Sequence, residues 1–215
     1  MTGVANGGGV AWMRALYEAA IFVVHESRGL LPANCASDLT PAGGHRQHKS
    51  EFLTRERALS YAQSLCAGFV VLRRIGASAE EAWSVAMNDL FCVEELTDAY
   101  ELPELDSHTR VAQELLAQPG TWLCIQRLAH VIAFTGGVTC QLADLLVEHF
   151  RHDLSRRELE DCLDVLVLSG QIAEPLRQTV SELVQATATN LPAPVSAVPD
   201  PTTPDARKGI LMGSG

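Results

Sequence analysis

The chain has 215 residues, of which 47% are hydrophobic and 20% charged, and its formal net charge is −10 at neutral pH. This composition is typical of a globular protein with a sizeable core, and it argues against a disordered chain. The acidic balance argues against a general nucleic-acid or anionic-membrane surface, because such surfaces need clustered Lys and Arg. We therefore expect an acidic, soluble protein without a membrane role.

Six cysteines are spread along the chain, and none has the Cys-x-x-Cys spacing of metal or redox motifs. Five of them lie within apolar helical patterns, where a free cysteine behaves as a small hydrophobic side chain. The apolar segment near the N-terminus lacks a basic start, and Arg14 and Glu18 interrupt it, which fits neither a signal peptide nor a membrane span. We predict free thiols and a cytoplasmic location.

Hydrophobic periodicity predicts an all-α fold, a multi-helix orthogonal bundle, because no segment shows a strict period of two. The first helix is predicted to start near Val10, after three flexible glycines, and to end near His25. Residues 28–50 are punctuated by Gly and Pro and are predicted to form a long loop. A second helix is predicted to open at Thr54 and to end at Gly76.

The third predicted helix opens with a capping box, in which Ser78 and Glu81 satisfy free backbone N–H groups, and it ends before Pro103. A shorter helix is expected over residues 107–117. The inner stripe of the third helix is predicted to consist of Trp83, Ala86, Met87, Leu90 and Val93.

Residues 121–175 form the most clearly patterned block of the chain. They predict three helices, over 122–135, 141–152 and 155–169, with a second capping box at Ser155. A last helix is expected to end near residue 187. We predict one helical domain over residues 10–187, followed over 188–215 by a Pro-rich tail that is disordered because it cannot bury enough apolar surface.

The block also has the outline of a helix-turn-helix. Gly137-Val138-Thr139 would be a short strand before the paired helices, and Gly170-Gln171-Ile172-Ala173 would open a wing. Over about 55 residues this layout resembles winged-helix domains. The resemblance implies a transcription regulator that reads DNA with the helix over residues 155–169.

The charge of that helix opposes DNA binding. A DNA-reading helix needs Arg, Lys, Asn or Gln on its exposed N-terminal face. Arg156 and Arg157 are outnumbered there by carboxylates, which are Glu158, Glu160, Asp161 and Asp164. The second half of the helix is apolar nearly all round, which predicts deep burial. We therefore expect nucleic acid not to be a partner, and we interpret the block as protein-binding.

Two regions are predicted to contact a protein partner. The first is the charged start of the helix over 155–169, with Arg156, Arg157, Glu160 and Asp161. The second is the apolar end of the tail, where Ile210, Leu211 and Met212 follow two basic residues. A short apolar motif on a Pro-rich tether is a common form of docking peptide, because the tether raises its effective concentration.

Metal and catalytic chemistry have fewer candidates. Glu148 and His152 are four residues apart, and His149 lies beside them, but the Glu-x-x-His of di-iron bundles and the His-Glu-x-x-His of zinc proteases are absent. The helices around Cys140 look loosely similar to carboxymuconolactone decarboxylase or AhpD-type bundles, whose peroxidase members place Cys-x-x-Cys before a histidine. Here Cys140 stands alone. We predict no cofactor.

From the sequence we favour a non-catalytic interaction or regulatory protein that works through protein–protein contacts, with a homodimer as one option. The first alternative is a winged-helix DNA-binding regulator. The second is a helical-bundle enzyme that uses Cys140 or the Glu148 and His152 pair.

Overall fold

The computed structural model describes residues 6–29, 38–39 and 54–189. Within these ranges it contains eight helices and one pair of short strands, so the predicted all-α fold is confirmed. The strands are β1 (Asp38–Leu39) and β2 (Val138–Thr139). In chain order the helices are α1 (Asn6–Ser27), α2 (Arg55–Arg74), α3 (Ala79–Tyr100), α4 (Leu105–Leu116), α5 (Pro119–Thr135), α6 (Cys140–Phe150), α7 (Arg156–Leu168) and α8 (Glu174–Thr189).

Two sequence predictions fall largely outside the described residues. The predicted loop over 28–50 is described only at residues 28–29 and at β1. The predicted tail is described only at its first two residues, which belong to α8, so Ile210, Leu211 and Met212 lie outside the described part.

Helices α1 and α2 form the centre of the molecule. Every residue from Ala15 to His25 is buried, and so is every residue from Tyr61 to Gly68. Helix α1 packs against α2 and α5, while α2 also packs against α3 and α4. Because both helices are covered on all sides over these stretches, their small residues are needed for close approach as much as their large ones are needed for burial.

The prediction that α1 starts near Val10 is wrong, because the helix begins at Asn6 and includes the three glycines. Each glycine disfavours the helix by only about 1 kcal/mol, and adding a residue to an existing helix is far easier than starting one. The helix that forms over the strongly apolar run after Val10 therefore extends by propagation to Asn6.

The predicted inner stripe of α3 is partly wrong. Ala86, Leu90 and Val93 are buried, but Trp83 and Met87 are each 40% exposed. The inward place goes instead to Asp89, whose carboxylate accepts a hydrogen bond from the Tyr17 hydroxyl of α1. With Asp89 on the inner side of α3, Trp83 and Met87 lie on its outer side.

A small β-ladder ties the segment around residue 38 to the start of α6. Strands β1 and β2 are antiparallel, with Leu39 opposite Val138 and Asp38 opposite Thr139. The next residue after β2, Cys140, is in a disulfide bond, whereas Cys66, Cys124 and Cys162 are free thiols. The prediction of free thiols is therefore wrong at Cys140, because spacing along the chain cannot show which thiols meet in space.

Several arginines join helices that are distant in sequence. Arg151, at the end of α6, forms an ion pair with Glu26 near the end of α1. Arg74 donates to the Leu116 carbonyl, and its guanidinium lies 4.2 Å from the centre of the Trp122 ring.

In residues 6–29, 38–39 and 54–189, no helix is both long and apolar enough to cross a membrane.

Candidate functional site

The turn between α6 and α7 is held by side chains that the sequence pattern singled out. His149 Nδ1 lies 2.9 Å from the Leu154 carbonyl oxygen, and His152 has a φ of 70°, in the left-handed region that ends a helix. The N–H of Ser155 donates to Glu158 Oε2 at 2.8 Å, and the N–H of Glu158 donates to Ser155 Oγ at 3.3 Å. The predicted capping box is thus present, and these hydrogen bonds lower the pKa of Glu158.

Ion pairs fasten α7 to α8. Arg177 Nη2 lies 3.2 Å from Glu160 Oε2 and 2.9 Å from Asp164 Oδ1. The Ser181 hydroxyl of α8 also donates to Glu160. Glu160, predicted to face a partner, is therefore half-buried against α8. Its role here is to set the position of α7.

The two predicted arginines differ in their surroundings. Arg156 Nη2 donates to Gln185 Oε1 at 3.2 Å and lies 3.8 Å from Glu160 Oε1, so its guanidinium is turned toward α8. Arg157 and Asp161 are exposed and lie one helical turn apart. Of the four charged residues predicted for this surface, these two share one exposed stripe of α7.

The outer face of α7 continues with large apolar side chains. Val165 is 62% exposed and Leu168 is 87% exposed, and with Arg157 and Asp161 they recur at three- and four-residue spacing. We call these four residues the α7 face. The prediction that this helix is deeply buried is wrong, because only Leu159, Leu163 and Leu166 turn inward, where α6 and α8 lie.

The winged-helix layout is only partly present. Helices α5, α6 and α7 and strand β2 lie where the resemblance requires them. Strand β2 pairs with β1 and not with a strand after α7, and α8 begins at Glu174, where a wing would be extended. Residues 121–175 therefore keep the helix-turn-helix outline without the strands that would form a wing.

The candidate metal residues do not converge. In the part of the chain that the structure describes, no group of three or more His, Cys, Asp or Glu side chains is arranged to hold a metal ion. Nδ1 of His149 faces the Leu154 carbonyl, and His152 lies beyond the end of α6. Burial raises the pKa of Glu148, and the nearby charges of Asp144 and Asp153 raise it further.

Cys140, Cys66 and Cys124 are poorly suited to nucleophilic catalysis. Cys140 is in a disulfide and so has no thiol in this form. Burial raises the pKa of the Cys66 thiol to about 12, and it does the same for Cys124. Because the thiolate is the nucleophile, thiols with such a high pKa are almost wholly unreactive at neutral pH.

A shallow depression of about 500 Å³ lies at the start of α4. It is lined by Glu104, Asp106, Ser107 and Arg110. All four are polar, whereas most small-molecule sites are concave and lined mainly by apolar side chains. We assign no ligand to this depression.

Comparison with known proteins gives no relative for this chain: no protein-family model, no curated protein and no solved structure matches it. The surfaces and buried groups of the molecule itself are therefore the basis for its proposed function.

Sequence reasoning missed a set of buried polar side chains in the core. Glu18, Asp89 and His108 are each less than 8% exposed, although their residue types favour the surface. Desolvation lowers the pKa of His108, and the Pro103 carbonyl opposes this shift only in part. In the sequence, the burial of Asp89 could be suspected only because this charged residue stands within an apolar helical pattern. Its hydrogen-bond partner, Tyr17, lies 72 positions away and could not be identified from the sequence.

Proposed function

We propose that the protein is a non-catalytic interaction or regulatory protein that binds a protein partner through the α7 face. The observation that carries the proposal is the exposure of Leu168 and Val165 beside Asp161 and Arg157. Protein interfaces combine a central apolar contact with a polar rim, and the α7 face has both within three helical turns.

The supports of α7 favour the same function. The capping box fixes the start of the helix, and the pairs of Arg177 with Glu160 and Asp164 fix its side against α8. A surface that is already ordered before binding loses less conformational entropy when a partner docks. Holding α7 in this way leaves its apolar side chains directed at solvent.

DNA binding remains the first alternative, since α6 and α7 keep the helix-turn-helix outline. It has less support, because Arg156 is engaged by Gln185 and Glu160 and Arg157 is the only other cation of α7. Asp161 lies one turn further along the same stripe and would repel phosphate. The enzyme alternative at Cys140 would first require reduction of its disulfide.

The test is affinity capture with the full chain from the cells that produce it, followed by a binding titration with each captured protein. The variant Leu168→Glu places a charge at the centre of the apolar contact, and we expect it to weaken binding by about tenfold or more. The variant Phe134→Glu changes an exposed apolar side chain on α5 that belongs to no proposed contact surface, and it serves as the matched control.

Equal binding by the native chain and Leu168→Glu would overturn the α7 face as the contact surface. A salt-sensitive mobility shift of duplex DNA that is lost in Arg157→Ala would favour the DNA alternative instead.

A further inference from the structure

A second apolar surface lies on α3, away from the α7 face. Trp83, Met87 and Phe91 follow one another at every fourth residue and are 40%, 40% and 48% exposed. The Trp83 and Phe91 rings meet edge to face, with centroids 6.5 Å apart. We call these three residues the α3 ridge. Such a contiguous cluster of large apolar side chains on a surface marks a place where another segment docks.

The charge around the α3 ridge restricts what can dock there. Glu80, Glu94 and Asp98 are exposed and fall on the same side of α3 by the helical period. The helix contains no Lys or Arg. A second copy of the same surface would therefore bring like charges together, whereas a segment with both apolar and basic residues would be complementary.

We propose that residues 207–212 of the same chain dock on the α3 ridge. The sequence there is Arg-Lys-Gly-Ile-Leu-Met, which joins two cations to three large apolar side chains. Outside the described residues, no other run has two consecutive cations and three consecutive large apolar residues within six positions. The apolar trio contacts Trp83, Met87 and Phe91, and the cations face the carboxylates at one end of the ridge.

The length of the connecting chain permits this contact. About twenty residues separate Thr189 from Ile210, and a flexible chain of that length spans about 25 Å on average. A compact body of about 160 residues has a radius of gyration of about 15 Å, so the segment can reach any of its faces. Tethering at this range gives an effective concentration in the millimolar range, which makes even a weak contact substantially occupied.

Docking would change the role of the tail. Bound to its own chain, the apolar trio at residues 210–212 is withheld from other proteins until a competing segment displaces it from α3. The proposal does not rest on the α7 face, because it uses a different helix and a different occupant.

Photo-crosslinking in the full chain tests the proposal. The variant Leu211→p-benzoylphenylalanine keeps an apolar side chain at the centre of the segment, and the same substitution at Ala197 provides a control within the tail. After irradiation at low micromolar concentration, digestion and mass spectrometry, we expect cross-links from position 211 to residues 83–91 of the same chain. Their yield should exceed that from position 197 at least about fivefold, given the millimolar effective concentration.

Substitutions on the two surfaces give opposite expectations. Phe91→Glu, and independently Met87→Glu, should reduce the cross-link at least about fivefold, whereas Leu168→Glu on α7 should leave it unchanged. Circular dichroism confirms that each variant is folded. Cross-links to another helix, cross-links between chains, or a yield no greater than at position 197 would each overturn the proposal. Because partner capture depends on Leu168 and the cross-link on Phe91, either proposal can fail without the other.

Discussion

His108 is completely buried on α4, and in the described part of the chain neither of its ring nitrogens has a hydrogen-bond partner of ordinary geometry. Burial disfavours the charged form of this imidazole, and its pKa is lowered from the ordinary value of 6.5. In the unfolded chain the same ring binds a proton more readily. The folded state therefore has its full stability above pH 6.5 and loses part of it as the pH falls below that value.

Replacing the ring should remove this dependence. We expect His108→Leu to raise the free energy of unfolding by about 1 kcal/mol, because a buried polar ring without a hydrogen bond of ordinary geometry is eliminated. The gain should be larger at pH 5.5 than at pH 7.5. Urea unfolding at the two pH values measures it, and His152→Asn, which removes an exposed histidine, is the control. Equal acid sensitivity in the native chain and in His108→Leu would contradict this prediction.

Gly68 marks the closest approach of α1 and α2. A Cβ atom placed there would lie 2.5 Å from Tyr17 Cε2, and the Tyr17 ring is held in place by its hydrogen bond to Asp89. Gly68→Ala should therefore lower the free energy of unfolding by about 1–3 kcal/mol through overpacking. Gly120→Ala is the matched control, since a Cβ atom at that position would meet no atom within 4 Å and alanine favours a helix. Chemical denaturation measures the free energy of unfolding of both variants. If Gly68→Ala is as stable as Gly120→Ala, α1 and α2 are not packed as closely at Gly68 as the structure indicates.

At the scale of elements, helix starts are the most predictable features. The capping boxes at Ser78 and Ser155 are formed by residues three positions apart, so the sequence alone contains all the information they need. The inward turn of Asp89 and the pairing of β1 with β2 depend on residues far apart in the chain. Periodicity therefore locates α3 correctly but assigns Trp83 and Met87 to the wrong side.

The disulfide bond of Cys140, the residue that follows strand β2, leads to a prediction about covalent structure. Cys140 is disulfide-bonded, whereas Cys66, Cys124 and Cys162 are free thiols. A digest of the unreduced protein should therefore contain the Cys140 peptide joined by a disulfide to a second cysteine-containing peptide. Reduction should lower the free energy of unfolding by about 2–4 kcal/mol, because the unfolded chain regains conformational freedom. Mass spectrometry before and after reduction checks the pairing, and a Cys140 peptide found as a free thiol would contradict it.

For the whole molecule, the fold class follows from composition and helical periodicity, but the functional surfaces do not. The sequence predicts that the α7 face is partly charged and that its apolar half is buried, because an apolar run on a helix normally indicates contact with the core. Which side of α7 meets the core depends on the packing of α6 and α8 against it, and this packing is not visible in the pattern of α7 itself. Exposed apolar surface is therefore the feature that only three-dimensional packing reveals.

The central position of α2 also has a consequence for the protein while it is being made. A ribosome releases α1 and α2 before α3 and α4, yet these two later helices cover part of α2. Until Leu116 has emerged, part of this central helix has no native neighbour and stays exposed to other nascent chains and to chaperones. A helix that is well protected in the finished protein is thus poorly protected during its synthesis.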